Sequence, residues 1–432
     1  MKKYLPALQR LPLAVIGALA FSGCVKDDCK HTYKMYTPVY KTLSEIRSEV
    51  TYQGAQPLVN PGKIYLIGNQ VYLGERGKGV HIIDNSNPRQ PRNAGFIKIP
   101  GNIDIALKDD ILYADLYCDL AAFDLSHAGA APVKKYLTNA FPTQSSYGRY
   151  GVYQPTNTTN PDSIKVVVDW SSRDTVLSCD SYNWLSSCAT CGVFFLGGPA
   201  AQSASAAASG TGKAGSMARF ATVGDYLYAL DYYSMGIISV ANAADPTLVK
   251  RQSVPGASET IYPFNGNLFI GMTTGMSVFN ISNPVNPTYL SMTMHWRGCD
   301  PVVTDGKYAY VTIFDGALCG GTTLNQLEVY DVSNLSGPTL QKTYRLTNPH
   351  GLSKEGNLLF ICDGRDGLKI YDATDVKNLV LLKHISGINT YDLVTSNGIA
   401  YVVAKDGLYQ YDYSHPAETR LISRIGWSKP LG

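Results

Sequence analysis

The chain has 432 residues, 45% of them hydrophobic and only 16% charged, which excludes disorder and supplies apolar content for one large core or several smaller ones. Lys and Arg number 37 against 34 Asp and Glu, so the field that drives nucleic-acid binding by counterion release is missing. No second long apolar run follows the N-terminal one, which argues against a polytopic membrane protein. Tyrosine is the outlier: 30 Tyr against 12 Phe is more phenol than a core requires.

Residues 1–23 read as a signal peptide. Lys2, Lys3 and Arg10 accompany an apolar run over 11–21 that is too short to span a bilayer, and Ser22-Gly23-Cys24 follows. Loss of those three bases would make the mature chain formally neutral. Ala20-Phe21-Ser22-Gly23-Cys24 resembles a bacterial lipobox, with Phe21 where Leu is usual, and the resemblance implies cleavage before Cys24 and its acylation. Lys26, Asp27 and Asp28 resemble the Lys-plus-acidic export tag of Bacteroidetes-type lipoproteins, which implies an outer-membrane lipoprotein displayed on the cell surface. A solvated linker is the plainer reading of such a run, and the periplasmic leaflet the alternative location. Residues 24–61 are expected to form a lipid-anchored stalk, with a short helix near 43–50 lying on the propeller.

From residue 62 onward a pattern of apolar, aromatic and apolar residues recurs. Its aromatic column is Tyr72, Tyr113, Tyr228, Phe269, Tyr310, Phe360 and Tyr401, with steps of 41, 115, 41, 41, 50 and 41. A second motif follows each copy: Val80-His-Ile-Ile-Asp84, Leu120-Ala-Ala-Phe-Asp124, Met276-Ser-Val-Phe-Asn280, Leu327-Glu-Val-Tyr-Asp331, Leu368-Lys-Ile-Tyr-Asp372 and Leu408-Tyr-Gln-Tyr-Asp412. In the third copy, Ile237–Ala241, the acid is lost. Short strands at this spacing, punctuated by Gly and Pro, predict an all-β, seven-bladed β-propeller of four-stranded antiparallel blades over 62–432. Eight blades is the minor alternative. The step of 115 carries a long insertion at about 132–216, placed between the third strand of blade 2 and blade 3. Within it an outer strand is expected over 164–170, and a Gly/Ala/Ser tract over 197–216 is expected to be mobile. The first and last repeats each hold four strands, so the ring is expected to close by packing of complete blades.

The Leu-x-Ile-x-Asp strand at this spacing resembles the LVIVD repeat of bacterial β-propellers. Gly62-Lys-Ile-Tyr, Gly79-Val-His-Ile-Ile-Asp-Asn-Ser-Asn-Pro88 and Ile99-Pro-Gly-Asn-Ile-Asp104 are similar to the surface-lipoprotein branch. The resemblance implies an architecture and no chemistry.

Nine cysteines are present; with Cys24 acylated, eight remain, and an even number outside the cytoplasm favours disulfides. Cys188-Ala-Thr-Cys191 lacks the second C-x-x-C or nearby His that zinc requires, so Cys179, Cys188 and Cys191 read as a structural staple. Cys299–Cys319 is the preferred pairing elsewhere and Cys319–Cys362 the runner-up. Aligning the repeats on the aromatic column places Lys63, Asp104, Arg219, Glu259, Asp300, His350, Tyr391 and Asp392 where the innermost strands begin, as a polar axial mouth. An enzyme or metal-dependent receptor would use Glu259, Asp300, His350 and Asp392 as acids, bases or ligands, with Arg219 clamping an anion. A solvated rim is the plainer reading, because any propeller puts polar residues there.

No nucleophile elbow, phosphate loop or H-E-x-x-H occurs, and Asp363-Gly-Arg-Asp-Gly367 reads as a hairpin turn rather than a calcium loop. No catalytic residue, metal or cofactor is therefore predicted. Tyr117, Tyr232 and Tyr233 fall in loops on the same rim, where Tyr offers flat contact area with one polar tip. The expected partners are a surface protein or glycan, with the membrane reached through Cys24 and no nucleic acid.

Overall fold

The computed structural model describes residues 30–127, 129–142, 152–153, 158–178, 213–295, 298, 301–314 and 324–427. Cys24, Lys26, Asp27, Asp28, Cys179, Cys188, Cys191, Cys299, Asp300 and Cys319 lie outside these residues. The chain divides into two compact units, 1–39 with 169–195, and 40–168 with 196–432. In the first, strand Lys30–Thr42 is hydrogen-bonded to strand Lys165–Ser178, each running on into the second unit. No described helix is long and apolar enough to cross a membrane.

The second unit is a seven-bladed β-propeller of four-stranded antiparallel blades. Blade 1 runs Pro61–Ile67, Gln70–Glu75, Gly79–Asp84 and Arg92–Lys98 from the axis outward. The innermost strands of blades 2 to 7 are Ile105–Lys108, Phe220–Val223, Ser258–Phe264, Val302–Thr304, Leu352–Glu355 and Thr390–Ser396. Each lies against the next around the axis, and Thr390–Ser396 returns to Pro61–Ile67. Closure is by complete blades: Leu66, Val71 and Ile83 of blade 1 share a core with Val394, Val403 and Leu408 of blade 7.

The repeat motif is legible in these contacts. Tyr72, Tyr113, Tyr228, Phe269, Tyr310, Phe360 and Tyr401 are all buried. Two of the phenols also lock neighbouring blades, since Tyr113 Oη donates to the Ala243 carbonyl at 2.8 Å and Tyr228 Oη to that of Pro284 at 2.9 Å. Phe would pack there and leave those carbonyls unbound, which explains part of the tyrosine excess. The motif acid caps the next turn: Asp84, Asp124, Asp331, Asp372 and Asp412 each accept the backbone N–H two residues on. A β-bulge at one position in all seven outer strands adds local twist.

Blade 2 differs from expectation. Its fourth strand is Val133–Leu137, so the insertion follows a complete blade rather than interrupting one. The two lysines of Val-Lys-Lys-Tyr-Leu disguise the strand, but outer strands bury little and Thr339–Arg345 is as polar. The strand expected over 164–170 belongs to Lys165–Ser178 and pairs with Lys30–Thr42, not with a blade. Much of the expected stalk packs on the ring. Helix Leu43–Ser48 opens with a capping box between Thr42 and Glu45 and buries Leu43 and Ile46 in the core of blades 1 and 2. Thr51–Gln53 then pairs with Arg92–Lys98 as an added outer strand of blade 1.

Candidate functional site

Of the predicted mouth residues, Lys63, Asp104, Arg219 and Asp392 converge, but around the protein's own chain. Residues 213–218, the end of the insertion, run through the axis. Lys213 and Ala214 pair antiparallel with Leu66 and Tyr65 of blade 1, so this blade gains an innermost strand. Gly215 donates to the Ile64 carbonyl at 3.3 Å. Ser216 Oγ accepts the Leu352 N–H of blade 6 at 2.6 Å, and the Ala218 carbonyl accepts the Ile261 N–H of blade 4 at 2.9 Å. Gly215 has no substitute here, because an added Cβ would sit 2.5 Å from Asp392 Oδ2 of blade 7. The tract expected to be mobile therefore ends in a buried segment, and small residues beside the start of an innermost strand were the signal for it.

The charged groups close over this segment. Lys63 Nζ donates to Asp104 Oδ2 at 3.1 Å and to the Met217 carbonyl, and the Arg219 N–H reaches the same Asp104 oxygen at 2.5 Å. Arg219 Nη2 donates to the Leu230 carbonyl at 3.1 Å. Lys63, Asp104, Arg219, Glu259, His350 and Asp392 are all buried. Burial lowers the Lys63 pKa against the pull of Asp104, and burial raises Asp392 to about 8, so its carboxyl holds a proton at neutral pH. Asp115, which sequence reasoning did not single out, accepts the Ile103 and Asp104 N–H groups at 2.7 and 2.9 Å; burial pushes it up to about 7. Chemically this is a closed latch, with cations and carboxylates engaged by each other and by backbone.

His350 lies off the latch. It is buried with its ring 4.6 Å from that of Phe314 and 5.6 Å from that of half-buried Tyr391. Burial lowers its pKa to about 4, so the imidazole is neutral; Nε2 donates to Asn348 Oδ1 at 3.2 Å and Nδ1 has no partner. Among the described residues no His, Cys, Asp and Glu group of three or more is placed to hold a metal ion.

The loop carboxylates on this rim are structural. Glu75 accepts the Val59 N–H at 3.1 Å, fastening the segment that enters blade 1, and Asp363 accepts the Thr347 and Asn348 N–H groups at 3.0 and 2.7 Å, fastening the connection between blades 5 and 6. The segment 363–367 is the expected hairpin turn, with Asp363 N–H donating to the Gly367 carbonyl at 2.8 Å.

The three rim tyrosines divide. Tyr117 and Tyr232 each open a two-residue hairpin, between paired Leu116 and Asp119 and between paired Asp231 and Ser234. Both hold a left-handed backbone, φ 56° and 59°, which Gly or Asn normally supplies. Tyr117 is only 8% exposed, its ring covering Gly101, and so offers little contact area. Tyr233 is 52% exposed, with its ring centroid 5.8 Å from that of Tyr232.

Cys362, a disulfide candidate, is a free thiol, as is Cys118. Cys362 ends a strand buried against Leu368, Leu393 and Ala404, and burial raises its pKa well above the ordinary thiol value. The runner-up Cys319–Cys362 pairing is thus not formed.

The family model for the LVIVD repeat matches residues 62–96 and 299–345, which fall on blades 1 and 5. The chain carries LVIVD repeats. Around the ring, the acid of the LVIVD motif is the turn cap described above, so what the repeat encodes is blade geometry. No curated protein matches the chain. Among solved structures the LVIVD propeller is similar to a protein from Lactobacillus plantarum, at 13% identity and TM-score 0.49, covering 88% of this chain and 97% of that one. It is also similar to the computationally designed Ika8 protein, at 10% identity and TM-score 0.48 over 86% and 90% of the two chains. PorZ, a bacterial surface component of the type-IX secretion system of Porphyromonas gingivalis, is 10% identical with TM-score 0.47; the match covers 87% of this chain and 39% of PorZ.

Proposed function

We propose that the protein is a lipid-anchored binding or scaffold module of the outer-membrane surface, engaging a protein or glycan through the loop face of its propeller. The observation that carries this reading is the Tyr232–Tyr233 hairpin tip. Exposed Tyr233 beside half-buried Tyr232, whose left-handed backbone disfavours a bulky residue, suits a contact surface better than a core. The lipobox at Cys24 and the tag Lys26-Asp27-Asp28 support the location, and LVIVD repeats on a propeller suit a module that presents loops. The axial mouth is the weaker candidate for enzyme or receptor chemistry, since its charged groups already hold residues 213–218.

The test is cross-linking in the native envelope followed by purification of the wild-type chain and of a Tyr232→Ala/Tyr233→Ala variant. The wild type is expected to retain a partner that the double variant loses at equal abundance. Equal recovery by both, with loss in a folded His350→Ala variant instead, would move the site to the cluster of Phe314, His350 and Tyr391.

A further inference from the structure

The first unit contains a two-stranded ribbon whose sequence and exposure call for a covering partner. Arg173 Nη2 lies 3.5 Å from Met35 Sδ, so these two residues share one face of the ribbon. Strand alternation then puts Tyr36 and Trp170 together on the other face, along with Val176. Tyr36 is 46% and Trp170 38% exposed, and Val176 is exposed as well. A two-stranded ribbon with open faces is marginal in water and gains stability once an apolar surface covers it.

We infer that this Tyr36–Trp170 face lies on the lipid bilayer, at the level of the headgroups. Trp and Tyr prefer that level because their rings are apolar and their N–H and O–H tips stay wet. The position in the chain supports a lipid occupant: Lys30, where the ribbon begins, is six residues beyond Cys24, a span of at most about 20 Å when fully extended. An acyl group on Cys24 would therefore hold the ribbon within reach of the bilayer surface. Charge is a minor contributor, because Lys30, Lys34 and Arg173 exceed Asp169 and Asp174 by a single positive charge on this part of the ribbon. The inference rests on the lipoprotein reading for its geometry, but the ribbon's affinity for lipid belongs to its own side chains.

The experiment uses the mature chain without its acylated residue, residues 25–432 exported behind a cleavable non-lipoprotein leader. It is mixed with vesicles of phosphatidylethanolamine and phosphatidylglycerol and sedimented. The acyl-free chain is expected to co-sediment, with little change on adding salt, and Tyr36→Ser/Trp170→Ser to weaken partition at least about tenfold while circular dichroism stays unchanged. Trp170→Phe should retain binding, which separates lost apolar surface from lost folding. Failure of the acyl-free chain to sediment, or equal binding by the double variant, overturns the inference. So does a concentration-dependent dimer that the double variant abolishes, since a second copy would then cover the face. Mass spectrometry of Cys24 from native membranes tests the anchor separately. An unmodified Cys24 alongside vesicle binding would remove the anchor and leave the ribbon's lipid contact standing.

Discussion

At the axis, Lys63, Asp104, Arg219 and Asp392 are buried against one another and against residues 213–218. At the tip of the blade 3 hairpin, Tyr233 stands half in solvent beside Tyr232, which alone of the two holds a left-handed backbone. The first region has the residue types usually associated with catalysis, and Lys63, Asp104 and Arg219 engage one another and the backbone, while buried Asp392 keeps one carboxyl oxygen without a hydrogen bond. The second keeps apolar area exposed beside a strained turn. Residue type alone therefore does not tell an engaged polar cluster from a free surface. What separates them is whether the polar or apolar surface already has a partner.

The sharpest way to break this contrast is Lys63→Met. If the axis is a latch, removing one partner leaves Asp104 buried and uncompensated, and chemical denaturation should report a loss of about 3–5 kcal/mol. Pairing it with Asp104→Leu should restore part of that loss, because the uncompensated carboxylate is gone while the Arg219 and Ile105 N–H groups it accepted lose their partner. An open, solvated mouth would instead tolerate the single change. Gly215→Val comes next. Its side chain would collide with Asp392, so unfolding should fall by about 1–3 kcal/mol, and proteolysis should begin cutting within 213–219.

The third test is pH. Asp392 has its pKa raised by burial to about 8, so between the unfolded carboxylate value and about 8 the native state holds a proton that the unfolded chain has released. Its contribution is full below the unfolded value and is lost as pH rises through the folded one. Wild-type thermal stability should therefore decline from pH 5 to pH 9 relative to Asp392→Asn; parallel curves would mean that the carboxyl is solvated. Smallest of all is Tyr232→Gly, which relieves the left-handed backbone at a cost in chain entropy. Stability should change by less than about 1 kcal/mol, while partner capture by the rim drops.

Much of this architecture was legible before folding was considered, and the exceptions share a cause. The aromatic column, the turn-capping acids and the hairpin at 363–367 are local patterns inside one repeat. Val133–Leu137 was missed because an outer strand buries little and so shows weak alternation. Tyr117 and Tyr233 look equivalent as loop tyrosines, and only the glycine at 101 gives the first one a surface to cover. Cys362 counted as a bridge candidate by parity, whereas its burial in the core of blades 6 and 7 leaves it a free thiol.

The 41-residue period, the seven blades and their complete closure follow from sequence alone, because strand alternation and turn chemistry act over a few residues at a time. The occupant of the axis and the strand paired with Lys30–Thr42 were decided by tertiary structure. Lys63 meets Met217 across 154 positions, and Ser171 meets Thr37 across 134. No periodicity spans such distances. The channel is filled where the closed ring brings the ends of its innermost strands around one small-residue segment, and burial then turns a set of charged side chains into a latch.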